Sequence, residues 1–247
     1  MKICFFSDIH GNGYSFFEFI KKIPEIAADR YIFGGDVFGY YYDAFEILDY
    51  LMANPKIECI LGNHDKMTID AFEDKSIREN LIKKYGQSYS EKLLWNKLDS
   101  KYINFMKHWH EHIDVFDSDK KLGFFHGGPQ NFLDERIYPD TDFQDDKEFS
   151  SYTHIFCGHT HHKMSRMICG HKFLNPGSLG QQRDGKGCSY LVYDTKMDSV
   201  LFETILYDVE ALKNRIMENE IDETMRERLI EVLNRKERGQ NVKNENF

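Results

Sequence analysis

No apolar run in this 247-residue chain approaches the roughly 20 residues that a helix needs to cross a bilayer. The opening MKICFF meets Ser7 and Asp8 before a secretory apolar segment can develop. These two absences predict a soluble, unanchored protein of the cytoplasm. An excess of cations is missing too: 32 Lys and Arg stand against 41 Asp and Glu, a net charge of −9. Without a broad positive field, general nucleic-acid binding is disfavoured, whereas a local cationic site supplied by metal ions is not. Cysteine is sparse and unpaired, since Cys4, Cys59, Cys157, Cys169 and Cys188 show neither zinc-knuckle nor redox spacing. Cys4, Cys59 and Cys157 sit inside apolar runs and read as small buried hydrophobes in a reducing compartment. Internal repeats and low-complexity segments are also absent.

What is present is an alternation of short apolar runs and helical spacings. Residues 2–6, 31–33 and 57–61 read as strands. Tyr14 to Ala28 and Ala44 to Met52 carry apolar residues at helical spacing. Strand–loop–helix units of this kind predict parallel pairing with functional loops at the strand ends. Residues 66–111 change character and predict a helical insertion, with Ser100 as a cap for a helix bearing Tyr102, Phe105, Met106 and Trp109. Further strands follow at 113–116, 122–125, 155–157, 190–193 and 200–206, the last two as an antiparallel pair. Asp208 is a predicted cap for a C-terminal helical segment to about residue 238, after which a polar tail should fray.

The polar residues fall in a telling place. Five times a short apolar run ends and a carboxylate, amide or imidazole follows at once: Asp8 and His10, Asp36, Asn63 and His64, His126, and His159 and His161. In an open α/β sheet such strand ends converge on the ligand crevice. Mixed oxygen and imidazole donors suit manganese, iron or zinc, and the lack of a thiolate argues against a structural zinc site. Singly, each residue has an ordinary reading as a turn, a cap or a satisfied core histidine. Their joint order does not.

Asp8-Ile-His10, Gly35-Asp36, Gly62-Asn63-His64-Asp65, His126-Gly and Gly158-His159-Thr160-His161 resemble the five motifs of the calcineurin-like metallophosphoesterase superfamily. The resemblance extends to Gly39-Tyr40 and Asn175-Pro-Gly-Ser178 and covers about residues 1–207, most closely in the manner of the small bacterial and archaeal phosphodiesterases. It implies an α/β fold, a two-sheet αββα sandwich, here one domain over 1–247 with the insertion at 66–111. It implies two divalent metal ions, one on Asp8, His10, Asp36 and His161, the other on Asp36, Asn63, His126 and His159, with Asp36 bridging. It further implies hydrolysis of phosphate esters by a metal-activated hydroxide, with His64 as general acid. The substrate would be a small-molecule or nucleotide-like phosphate ester. Phosphodiesters are favoured because no arginine follows Asp36, where the protein phosphatases of the superfamily carry phosphate-gripping arginines. A phosphomonoesterase, or a non-catalytic metal-binding scaffold of the same fold, is the alternative.

Other features carry less. His108 and His112 would share a face if both lay on one helix. His162 and His171 read as surface or supporting residues, and His154 as a strand residue of open role. Phe38, Tyr40, Tyr41 and Tyr42 supply packing or a stacking surface for substrate, and Arg183 either reaches a substrate phosphate or caps a solvated turn.

Overall fold

The structure, a computed structural model, describes residues 1–85, 97–145, 147–219 and 222–237. Among these residues ten strands form two five-stranded sheets. The first contains β1 (Lys2–Phe6), β2 (Arg30–Phe33), β3 (Ile57–Cys59), β9 (Cys188–Asp194) and β10 (Ser199–Ile205), in the order β10-β9-β1-β2-β3. Strands β1, β2 and β3 run parallel, and β9 runs antiparallel to both β1 and β10. The second contains β4 (His112–Asp117), β5 (Lys120–Phe125), β6 (His154–Phe156), β7 (Lys163–Ile168) and β8 (His171–Pro176), in the order β4-β5-β6-β8-β7. In it β5, β6 and β8 are parallel, with antiparallel strands at both edges.

The apolar run of β1 shows why the sheets stack. Side chains alternate across a strand, so Ile3 and Phe5 enter the core between the sheets while Cys4 and Phe6 enter the core beneath the helices. Phe5 meets Phe124 and Phe156 of the second sheet edge-on, with ring centroids 5.4 and 6.0 Å apart. Each fully buried phenylalanine contributes about 1.5–3 kcal/mol of transfer free energy, so these three pin one sheet to the other. Helices α1 (Gly13–Ile20), α3 (Ala44–Ala53) and α6 (Ser100–Met106) contribute Phe16, Phe19, Leu48 and Ile103 to the core on the first sheet's outer face. The second sheet's outer face is covered by Ile137, Phe143 and Phe149 of the segment between β5 and β6. The expected sandwich is therefore present, with α4 (Asn63–Glu73) and α5 (Lys75–Tyr85) following β3.

Several local expectations change. The helix expected over Tyr14–Ala28 ends at Lys21 and resumes as α2 (Ile23–Ile26), because Pro24 has no N–H to continue the ladder. Asp99, not Ser100, caps α6, accepting from Lys101 N at 2.8 Å. His108 bonds Asn104 O while His112 lies in β4 and stacks on Phe125, so the two share no helix face. The hairpin of β7 and β8 was not anticipated; it turns at Cys169 and Gly170, both with positive φ, the geometry of a tight two-residue turn. The C-terminal segment is two helices, α7 (Val209–Asn219) and α8 (Glu223–Glu237), and Asp208 does cap the first through Ala211 N at 2.9 Å. Residues 86–96 of the expected insertion and the tail beyond 237 lie outside the described residues. Among the described residues, no helix is long and apolar enough to cross a membrane.

Candidate metal centre

The strands β1, β2, β3, β5 and β6 deliver their polar successors to one edge of the sandwich. Asp8 and His10 follow β1, Asp36 follows β2, Asn63 opens α4 after β3, His126 follows β5, and His159 and His161 follow β6. Backbone bonds tie neighbouring loops together within each sheet, Gly158 N to His126 O at 2.8 Å and His10 N to Asp36 O at 2.9 Å. Five of these seven residues, Asp8, His10, Asp36, His159 and His161, hold φ between 50° and 64°. That conformation is unfavourable for residues with a Cβ and persists only where the surroundings enforce it. At this edge the strain turns side chains inward.

Three residues enforce it. The buried Asp65 carboxylate accepts from the backbone N–H of Asp36 at 2.7 Å, Val37 at 2.9 Å, Phe38 at 3.3 Å and Gly62 at 3.2 Å. Asn175 Nδ2 donates to Gly158 O at 2.7 Å and to Thr160 Oγ1 at 3.1 Å, bracing the loop of His159 and His161. Ser178 Oγ donates to Asp8 O at 2.7 Å. The sequence motifs contain all three residues, but a supporting carboxylate, amide or hydroxyl has no spacing of its own that reveals its role.

The imidazoles are oriented from behind. His10, His126 and His161 each set Nδ1 against a backbone carbonyl, of Phe38 at 2.7 Å, Gly34 at 2.8 Å and Gln181 at 2.7 Å. A proton on Nδ1 leaves the Nε2 lone pair facing the centre. His10 Nε2 and His161 Nε2 lie 3.0 Å apart, and both approach Asp8 Oδ1, at 3.8 and 3.3 Å. On the other side His126 Nε2 lies 2.9 Å from Asn63 Oδ1, 3.2 Å from His159 Nδ1 and 3.4 Å from Asp36 Oδ2. Asp36 Oδ2 is also 3.7 Å from His10 Nε2. Donor atoms sharing an ion at about 2.0–2.2 Å stand roughly 3–4 Å from one another, depending on the angle between them, so the spacing is that of ligand sets. The His64 ring completes a third grouping with His10 and Asp36, while its backbone N–H donates to Asp36 Oδ1 at 2.9 Å.

The electrostatics favour a cation. Burial, then the neighbouring His161 and His64, drives His10 well below the ordinary histidine value. Burial, then the neighbouring His126, pushes His64 down to about 3 and His159 to about 2, and burial, then the Arg183 cation, pushes His161 to about 4. Neutral rings offer lone pairs. Burial, then Asp65 and Asp8, pushes Asp36 well above its usual range, a penalty that a bound cation reverses. Asp8 Oδ1 is fully buried and accepts no hydrogen bond, an orphaned acceptor that a metal would satisfy. By donor type and placement, these residues fit divalent ions.

The remaining candidates lie around this set. The Tyr40 ring stands 4.6 Å from His10 and 5.9 Å from His64, and its hydroxyl accepts from Arg183 at 3.3 Å. Tyr41 and Tyr42 turn away into a core with Leu212 and Ile216 of α7 and Leu229 and Leu233 of α8. Arg136 Nε lies 3.2 Å from His159 Nε2. The segment after β5 brings Arg136, ten residues beyond His126, back to the site. His154 instead bonds Asp198 Oδ1 at 2.8 Å in β6, and His162 bonds Thr160 O.

Comparisons with known proteins bear on the fold and the family. The chain is 27% identical over 252 residues to an uncharacterized protein of Methanocaldococcus jannaschii, covering 92% of this chain and 97% of that one. A hypothetical protein of Pyrococcus horikoshii superimposes with a TM-score of 0.72 at 16% identity, over 92% of this chain and 97% of its own. A metallophosphoesterase of Sphaerobacter thermophilus superimposes with a TM-score of 0.68 at 20% identity, over 94% and 100%. The sequence profile of the calcineurin-like phosphoesterase superfamily domain matches residues 1–198, and the chain belongs to that superfamily.

Proposed function

We propose that this protein hydrolyses phosphodiesters at a two-metal centre. One ion would be held by Asp8, His10, Asp36 and His161, the other by Asp36, Asn63, His126 and His159. The observation that carries this reading is the position of Asp36 Oδ2, 3.7 Å from His10 Nε2 and 3.4 Å from His126 Nε2. One carboxylate oxygen thus stands within ligand spacing of both imidazole sets, as a bridging ligand must. Bound divalent ions would supply Lewis acidity to the phosphoryl oxygens and acidify a water for attack on phosphorus.

The chain's own groups supply the rest. Asp65 and Asn175 hold the loops so that no reorganisation is needed when substrate enters. His64, placed beside His10 and Asp36, is the group we assign to the leaving oxygen. Its ring is neutral in a buried, histidine-rich setting; an entering phosphate anion favours its imidazolium form, which can then release a proton to the departing alkoxide. The diester preference follows from charge. A diester brings one negative charge, a monoester nearly two, and the stretch after Asp36 provides aromatic rings and no guanidinium.

A phosphomonoesterase is the second reading, favoured by Arg136 beside His159 and Arg183 beside Tyr40. Protein stripped with chelator and reloaded with manganese separates the two. Expected is a higher kcat/KM for bis-p-nitrophenyl phosphate than for p-nitrophenyl phosphate, which share a leaving group. A preference for the monoester selects the second reading, and no turnover of either with any of manganese, iron or zinc selects a binding scaffold.

A further inference from the structure

The loop after β8 carries Arg183, and it is fastened to the loop after β1. Leu179 and Gly180 N–H groups donate to the carbonyls of Ser7 and Asp8 at 2.9 Å each, and Asn12 Nδ2 donates to Gly180 O at 2.8 Å. The approach at Gly180 is so close that a Cβ there would run into the Ile9 carbonyl. Arg183 N itself donates to His161 O at 3.1 Å. The backbone that sets Asp8 and His161 therefore also sets Arg183. From the other side Tyr40 arrives on the loop after β2, where Gly39 (φ +143°) lets the chain press against the His10 ring. The Arg183 guanidinium donates to the Tyr40 hydroxyl at 3.3 Å, while that ring lies 4.6 Å from His10 and 6.3 Å from His161. Asp184, its neighbour in sequence, faces Lys163, accepting from its backbone N at 2.7 Å.

We propose that Arg183, held by Tyr40, binds a second anionic group of the substrate: a phosphate on the ester arm that does not leave. The substrate class is then a nucleotide-like phosphodiester carrying a further phosphate, a statement that rests on the phosphodiesterase reading above. The single charge of the reacting phosphoryl group falls to the metal set. The Arg183 guanidinium belongs to neither proposed metal set and stands at the Tyr40 hydroxyl, one ring removed from His10 and His161. Its planar fork of N–H donors matches phosphate oxygens two at a time, and its ordering is met before substrate arrives. The inner end of this wall is a ligand histidine and the outer end a cation, which fits a substrate with two anionic groups on one arm.

The test compares thymidine 5′-(p-nitrophenyl phosphate) with the same ester phosphorylated on its 3′-oxygen, under one metal and pH. The natural chain is expected to favour the 3′-phosphorylated ester by about 10- to 100-fold in kcat/KM, mostly through KM, the range for hydrogen bonds to charged groups. In Arg183→Ala this ratio should fall to near one, in Arg183→Lys and Tyr40→Phe to intermediate values. Elemental analysis should show the same metal content in every variant. A ratio near one in the natural chain, or a ratio retained by Arg183→Ala, overturns the inference while leaving diester hydrolysis intact. Equilibrium binding of thymidine 3′,5′-bisphosphate against thymidine 5′-phosphate to the metal-loaded protein decides the matter independently of turnover. Equal affinity for the two overturns the inference there as well.

Discussion

Arg215 of α7 places Nη1 2.5 Å from Asp43 Oδ1, at the end of the loop that carries Tyr40. The guanidinium also lies over the Tyr42 ring at 5.6 Å, and the Asp43 backbone N–H donates to Gly11 O at 2.9 Å. The C-terminal helices lie beyond the residues matched by the superfamily profile, yet they brace a wall of the candidate site. Arg215→Ala should therefore raise KM several-fold at nearly unchanged kcat and metal content. It should cost about 1–2 kcal/mol of stability, the range for a partly exposed pair with one buried partner. Arg215→Lys should recover part of both. Steady-state kinetics and urea denaturation check this, and a loss in kcat alone would place Arg215 outside the brace.

Asp36 is the side chain assigned to both proposed metal sets, its Oδ2 3.7 Å from His10 Nε2 and 3.4 Å from His126 Nε2. Asp36→Ala should deplete both ions, whereas His159→Ala should deplete one. Inductively coupled plasma analysis of protein passed over a desalting column reads this directly. Two tightly held metals per chain in Asp36→Ala would contradict the shared position.

Much of the candidate site was legible because each proposed ligand stands within a few residues of the end of an apolar strand, so the break from hydrophobic to polar marks both the strand end and the candidate. The core of β1 was legible for the same reason. Arg136 was not, since it lies in the segment after β5 that has neither period; its return depends on the Glu135 carboxylate accepting from Gln130 N at 2.7 Å. Nor was the part played by Asp65, whose four backbone partners come from two loops that the sequence separates by some 26 residues. The β7–β8 hairpin escaped because Lys163–Ile168 mixes charged and apolar residues at the sheet edge, where alternation is blunted.

The far end of the sandwich supplies a pH test. His154 is buried among Tyr193, whose hydroxyl lies 2.9 Å from its Nε2, and Asp198, with Lys120 and Lys172 beyond. Burial holds its ring below the usual histidine range, and Asp198 offsets only part of that. The unfolded chain takes up a proton at this residue as pH drops through about 6.5, and the folded chain does so only at lower pH. The stability this residue contributes is therefore complete above about pH 6.5 and declines below it, by at most about 1.4 kcal/mol per pH unit. His154→Gln should show a shallower fall in unfolding free energy between pH 7 and 5 than the natural chain. Identical slopes would mean that another group governs this window.

His64 is the sharpest test of mechanism, because it belongs to a ligand-like grouping with His10 and Asp36 without belonging to either proposed metal set. As a ligand, its loss would lower metal content. As a proton donor, its loss would leave metal content near normal and slow turnover by about 10²–10⁴-fold. The second outcome is expected, since Asp36 Oδ1 is bonded to the His64 backbone rather than to its ring, at 2.9 Å. That bond survives in His64→Ala and keeps Asp36 in place. The leaving group distinguishes a donor from a residue that only shapes the pocket. An alkoxide needs a proton to depart, and nitrophenolate does not, so the loss should be large for alkyl diesters and small for bis-p-nitrophenyl phosphate. Equal losses for both, at unchanged metal content, would remove His64 from proton transfer and leave it a positioning role beside His10.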